Sequence, residues 1–391
     1  MSKPDEIPAL SYILEPAFVA SLLTAGCLLN RRPPPLIVQA QAATNEDVPP
    51  PGDNSWNWKD MVFLKWSVRV PGNERFRGRW TSRLLGMFPF LMEVWYWLLT
   101  YWIYQVARAI QALTMGADFR VLAEKHAREI IAIERWLHID CELSLQKFVM
   151  KANWLLIFFN KTYAMVHIPA TIAFMAYSYR YFKPYIFQST RRTLVLCNCL
   201  AFIVFSSWPC MPPRLMPYEE FGYIDTLHTG KAASIWTTNK FQNQLAAFPS
   251  LHFGYSFVIG LSLFLYSPHR PIRAISLLYP LLILLVIMAT ANHYLLDAVG
   301  GFFVTVLAYR INRLVLNLRP LEEWFFWLIR VSLNVPIYDC EAVLGANEHG
   351  HRAERPMDKV VFDSVISREN VSHRDSSDIS HRPLIFQGNP V

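Results

Sequence analysis

Apolar residues gather into long runs at 84–105, 152–178, 193–211, 250–267, 273–291 and 293–315, separated by short stretches rich in Arg, Lys, Pro and Asn. At about 1.5 Å per residue, runs of this length can each cross the hydrocarbon of a bilayer as a helix. The pattern predicts an all-α, polytopic membrane protein with six spans. Between the first two runs, residues 106–151 alternate charged and apolar positions at helical spacing, as in Ala123-Glu124-Lys125-His126-Ala127-Arg128-Glu129-Ile130-Ile131. That periodicity predicts one or two amphipathic helices on the membrane surface. A further apolar segment, 9–29, contains Glu15 and Pro16 and lacks a basic leader with a clear cleavage site. It reads as an additional, weaker membrane segment rather than a signal peptide.

Outside these runs the chain changes character. Residues 33–60 are rich in Pro, Asn and Asp and read as a linker, and Arg75–Arg83 is strongly basic. Residues 321–337, with Trp324-Phe325-Phe326-Trp327, read as an interfacial anchor. From 341 the tail is charged and rich in Ser, Arg and His, a disordered composition whose histidines lack metal-ligand spacing. The chain thus divides into 1–83, a membrane domain at 84–317, an interfacial segment at 318–340 and a tail at 341–391.

Composition sharpens the class. Of 391 residues 53% are hydrophobic and only 17% charged, below the roughly 25% of soluble chains. The net charge of +7 raises nucleic acid as a partner. The basic residues instead flank apolar runs, and no nucleic-acid-binding signature is present, so membrane lipids are the expected partners. The six cysteines show no CxxC pair or disulfide-framework spacing, and Cys197 and Cys199 fall inside an apolar run. One face of the predicted bundle collects Arg75–Arg83, Arg180, Lys183, Arg191, Arg192, Arg270, Arg273, Arg310, Arg313 and Arg319. By the positive-inside rule that face is cytoplasmic. The other, lumenal or extracytoplasmic, face receives 212–249 and the polar motifs at the ends of the later runs. Integral placement in the ER, Golgi or plasma membrane follows.

Those motifs carry the candidate chemistry. Pro249-Ser250-Leu251-His252 opens a helix, where exposed N–H groups favour an anion, Ser250 adds a hydroxyl and His252 a proton donor or acceptor. His293-Tyr294-Leu295-Leu296-Asp297 sets a carboxylate one helical turn from an imidazole, an arrangement that fixes the tautomer and activates the ring. Arg214, in Pro212-Pro213-Arg214-Leu215, is suited to bidentate phosphate binding, with Lys231 and Lys240 as supplements. Asp225 and His228 are candidates for a headgroup pocket. Asn160, Tyr163 and His167 form a polar stripe as second-layer or substrate residues. Glu93, the one acid in its run, reads as an interior group with a partner. No metal or cofactor is expected.

Over roughly 120–315 these residues resemble the type 2 phosphatidic acid phosphatase superfamily, and more closely its branch resembling inositol phosphorylceramide synthase. The resemblance rests on Glu134-Arg135-Trp136-Leu137, the Pro-Pro-Arg loop, Ala-Phe-Pro-Ser-Leu-His at 247–252 and Asn292-His293-Tyr294-Leu295-Leu296-Asp297. It implies a six-helix membrane core and metal-independent phosphoryl transfer through a phosphohistidine. Carried over, His293 is the nucleophile and Asp297 orients it. His252 protonates the leaving alkoxide and then activates the acceptor, while Ser250 and Arg214 hold the phosphoryl oxygens. The chain departs from the superfamily pattern where Ser207 takes the place of the wider family's lysine and Val286 and Ile287 that of its Ser-Arg pair, so two phosphate-binding cations are missing. Phosphatidic acid, phosphatidylinositol and ceramide-type lipids are the implied substrates. Water and a lipid hydroxyl are alternative acceptors that the motifs do not separate. Three other readings stay open: a serine-type hydrolase or acyltransferase using Ser250, a metal site at His252, His293 and Asp297, and an inactive scaffold or transporter of the same fold.

Overall fold

The computed structural model describes residues 11–32, 56–62, 66–114, 118–227 and 244–332, all within one compact unit, Met1–Tyr338. His228, Lys231, Lys240 and the 341–391 tail lie outside the described residues.

Most of the described chain is helical. After α1 (Ser11–Leu29) come α2 (Trp80–Met87) and α3 (Phe90–Thr114), then α4 (Asp118–Leu137) and α5 (Glu142–Met150). Next are α6 (Asn153–Met165), α7 (His167–Tyr181), α8 (Pro184–Ser207) and the single turn α9 (Tyr218–Phe221). The last group is α10 (Leu251–Tyr266), α11 (Arg270–Ile275), α12 (Leu278–Ala289), α13 (Leu295–Ile311) and α14 (Arg319–Ile329).

Prolines and caps explain where the predicted runs are cut. The first predicted span, 84–105, is two helices bent by 96°. Phe88 precedes Pro89 and leaves the helical region, at φ −121° and ψ 66°. The second, 152–178, pauses at Val166, because Pro169 cannot donate to the Met165 carbonyl. The third starts nine residues earlier than 193, with Pro184 in the first helical turn. Among the described residues two helical runs, Arg270–Ala289 and Leu295–Ile329, are long and apolar enough to cross a membrane, and three if the bent pair counts as one. Helix α10 has only 16 residues, about 24 Å of rise.

The 106–151 region does form amphipathic helices. On α4 the buried positions Ala123, His126, Ala127, Ile130, Ile131 and Glu134 recur every three or four residues. Glu93 is fully buried and paired with Arg191 at 2.7 Å. On α3, Leu98, Leu99, Trp102, Ile103, Val106 and Ile110 stay exposed, a continuous apolar face that a hydrocarbon environment would cover.

One expectation is corrected. The 33–60 linker and the purely α fold give way at a hairpin, β1 (Trp56–Asp60) with antiparallel β2 (Ser67–Pro71). Helix α14 packs on β2, and the Trp56 and Trp324 rings lie 5.7 Å apart. Aromatic and β-branched residues suit a strand that rests on an apolar helix.

The site is positioned by α10, which packs against α12, α13 and α8, and by α13, which packs against α8. Helix α12 in turn lies on α5 and α6.

Candidate active site

The two histidine motifs meet through backbone contacts. Ser250 caps α10, its Oγ accepting from the Phe253 N–H at 3.4 Å, and its own N–H donates to the Asp297 carbonyl at 2.9 Å. Close approach is possible because Gly301 on α13 faces the Ser250 carbonyl, where any Cβ would lie 2.3 Å from the oxygen. The first-turn N–H groups of Leu251 and His252 need acceptors from outside the helix, the usual anion-binding opportunity.

His293 sits in the turn between α12 and α13, after Ala291 in the left-handed region at φ 52°. Its ring Nδ1 is 2.7 Å from the Ala247 carbonyl oxygen and 3.4 Å from Asp297 Oδ2. A carbonyl only accepts, so Nδ1 carries the proton and Nε2 keeps its lone pair. The closer orienting group is therefore Ala247, with Asp297 behind it. Asp297 is fully buried and its Oδ2 also accepts the Tyr294 N–H at 2.9 Å. The Ala247 carbonyl is itself fixed by pairing of the 245–247 segment with Cys210, through Cys210 N–H to Leu245 O at 2.9 Å and Ala247 N–H to Cys210 O at 3.0 Å.

His252 lies beside His293, ring centroids 5.7 Å apart. Behind it Tyr163 stacks at 4.6 Å and His167 follows at 4.8 Å, so two members of the polar stripe line the second imidazole. The third, Asn160, is buried and holds the 222–227 segment, donating to the Thr226 carbonyl at 2.9 Å and accepting from its hydroxyl at 3.2 Å.

Arg214 is brought to the same turn. Its backbone N–H donates to Ala291 O at 2.9 Å, its Nε to Asn292 Oδ1 at 2.8 Å and a terminal nitrogen to Asp225 Oδ2 at 3.1 Å. Asp225 is thus the guanidinium's counter-ion, and its other oxygen accepts the Leu227 N–H at 3.1 Å. Asn292 opens the sequence motif without an assigned role there, yet it holds Arg214 and is held by Thr290 Oγ1 at 2.8 Å.

A pair of acids lies beneath the site: Glu134, which the sequence motif contains without an assigned role, and Glu142, which sequence reasoning missed. Glu134 Oε1 accepts the Leu296 N–H and Glu142 Oε1 the Leu295 N–H, both at 2.8 Å, so two buried carboxyls cap the start of α13. Burial, with Glu142 nearby, pushes Glu134 up to about 8, and burial likewise raises Glu142. A capping acid on the amphipathic face of α4 was the available signal: Glu134 falls in the buried stripe, where an acid is out of place unless bonded. Among the described residues, His252, His293 and Asp297 do not form a metal-ligating group.

Residues 128–311 match the family model described as the PAP2 superfamily, a superfamily of phosphatases and phosphotransferases acting on lipid phosphates. No curated protein and no solved structure matches the chain. The matched stretch runs from α4 to the last residue of α13, so it contains every candidate residue and both capping glutamates.

Proposed function

We propose that the protein is an integral membrane lipid phosphatase or phosphotransferase that works through a phosphohistidine at His293. The observation that carries the reading is the His293 ring, its Nδ1 held by the Ala247 carbonyl at 2.7 Å, with the second imidazole of His252 beside it. In the first step His293 Nε2 attacks phosphorus and the bond to the leaving oxygen breaks. His252 gives that oxygen its proton. In the second step His252 takes a proton from the acceptor hydroxyl, whose oxygen attacks phosphorus as the P–N bond breaks. Negative charge collects on the equatorial oxygens, and fixed donors there supply most of the stabilisation. Arg214 and the start of α10 are the groups suited to that task. Asn292 and Asp225 hold the guanidinium in place.

The reading extends to a six-helix membrane core with the site on the lumenal or extracytoplasmic face, and to inositol-phosphate transfer from phosphatidylinositol to ceramide as the acceptor chemistry. The sequence resemblance and the positive-inside distribution support these extensions. The serine-nucleophile alternative is poorly served, since Ser250 is fully buried and its hydroxyl serves as a helix cap. The test is the purified chain in detergent and EDTA, given labelled phosphatidic acid or phosphatidylinositol with and without ceramide. Release of phosphate marks a phosphatase and formation of a new lipid a transferase, and both are expected to vanish in His293→Ala. Turnover that persists in His293→Ala would overturn the proposal.

A further inference from the structure

At the end of the molecule away from the histidines lies a second built feature. Helix α13 starts at the site and its 17 residues carry the chain about 25 Å from it before α14 begins. Past the end of α14, Arg330 lines a cavity of about 400 Å³ together with Arg75, Phe76, Arg79, Trp327 and Leu328. Among the described residues, three guanidiniums border this space and no acid does. The carboxylates of α14 are engaged elsewhere: Glu322 with the Tyr96 hydroxyl, and Glu323 with Lys59 and Asn73. Aromatic faces hold the arginines in place instead. The Arg75 guanidinium lies 4.7 Å from the Phe76 ring centre and 5.9 Å from that of Trp327, and Arg79 lies 5.6 Å from Phe76.

Two further observations say what such a cavity is for. Arg330 occupies the left-handed position after α14, at φ 56° and ψ 50°, where glycine is the residue the backbone favours. An arginine there accepts backbone strain in exchange for a charge at the cavity rim. The surroundings are apolar and exposed: Trp80 is 75% and Leu328 72% accessible, side chains suited to the headgroup boundary of a bilayer. Three cations on an aromatic, exposed rim match a phosphate whose lipid tails continue into the membrane.

We infer that Arg75, Arg79 and Arg330 form a headgroup site for an anionic glycerophospholipid, separate from the catalytic pocket and at the opposite end of α13. The guanidiniums bind the phosphate oxygens, while Trp327, Leu328 and Trp80 rest against the glycerol and upper acyl region. The inference does not depend on His293 chemistry.

Its test uses the full chain in phosphatidylcholine nanodiscs containing a few per cent of phosphatidylserine that carries a diazirine near the glycerol. After irradiation the labelled peptides are mapped. Label is expected on the segments around 76–80 and 321–330, unchanged by His293→Ala and absent with the phosphatidylcholine analogue. Each basic residue at an anionic surface is worth about fivefold in affinity, so Arg75→Gln, Arg79→Gln and Arg330→Gln together weaken labelling on the order of a hundredfold. Arg330→Gly separates binding from folding: it relieves the left-handed strain and raises the melting temperature, yet loses about fivefold in labelling. Equal labelling by the phosphatidylcholine analogue, or by a triple variant that melts like wild type, overturns the site. Displacement of the label by millimolar glycerol 3-phosphate overturns the lipid assignment in favour of a soluble phosphate.

Discussion

Replacing Gly301 by alanine puts the contact between the two histidine motifs under direct strain. The added Cβ would sit 2.3 Å from the Ser250 carbonyl oxygen, 3.2 Å from its carbon and 3.6 Å from the Gly254 nitrogen. All three are backbone atoms, with no flexible side-chain end to swing aside. Ordinary contact begins near 3.4 Å, so α13 must withdraw from α10 by about 1.1 Å. The Ser250 N–H bond to the Asp297 carbonyl, now 2.9 Å, lies in the path of that movement. Overpacking on this scale costs about 1–3 kcal/mol, whereas alanine for a helical glycine gains roughly 1 kcal/mol. The variant is therefore expected to be less stable by up to about 2 kcal/mol. A displacement of about 1 Å between reacting groups lowers turnover on the order of a hundredfold. Thermal unfolding in detergent and turnover of labelled phosphatidic acid measure the two effects separately. Gly254→Ala is the comparison, because its nearest contact is the rotatable Thr305 hydroxyl at 2.9 Å, and it is expected to lose less of both. A Gly301→Ala protein that melts above wild type and keeps its rate would refute the reasoning.

Other outcomes follow from the same geometry. Arg214→Gln removes the cation and leaves Asp225 without its counter-ion, and is expected to lower both the melting temperature and, about a hundredfold, kcat/KM, read from initial rates on folded protein. Asn292→Ala frees the guanidinium without removing it and should cost about tenfold, mostly in KM, with added guanidinium failing to rescue it. The folded protein holds the Glu134 proton up to about pH 8, whereas the unfolded chain releases it near 4.5. This residue's share of stability is thus fully present below about 4.5 and is lost as the pH rises towards 8. In Glu134→Gln the fall of melting temperature across that window is expected to flatten, as scanned by thermal unfolding at stepped pH.

What could be read from the chain, and what could not, divides along physical lines. The run boundaries at Ser250 and Pro268 were legible because caps and prolines act locally, whereas the start at Pro184 was missed because polar residues at 188–193 hid the first turns of that helix. The bend before Pro89 was equally local, yet apolar content alone hid it inside a single predicted run. The hairpin at 56–71 was missed because a Pro- and Asp-rich neighbourhood masked two five-residue strands that depend on α14 for burial. Within the site, the His293 and Asp297 spacing was visible, but the nearer contact to the Ala247 carbonyl was not. That partner is a backbone atom 46 residues away in sequence, placed by a bridge between Cys210 and Ala246. The capping roles of Glu134 and Glu142 were hidden for a related reason: they act on backbone N–H groups more than 150 residues away. Side-chain chemistry leaves a pattern in the sequence, whereas long-range backbone hydrogen bonds leave almost none.

The central claim is that the imidazole of His293 becomes transiently phosphorylated. The most direct measurement is rapid quenching of the purified chain after mixing with phosphate-labelled phosphatidic acid in EDTA, followed by peptide mapping. The account predicts an acid-labile, base-stable label on the peptide containing His293, absent from His293→Ala. Steady product formation with no such label, or with the label on Ser250, would contradict it.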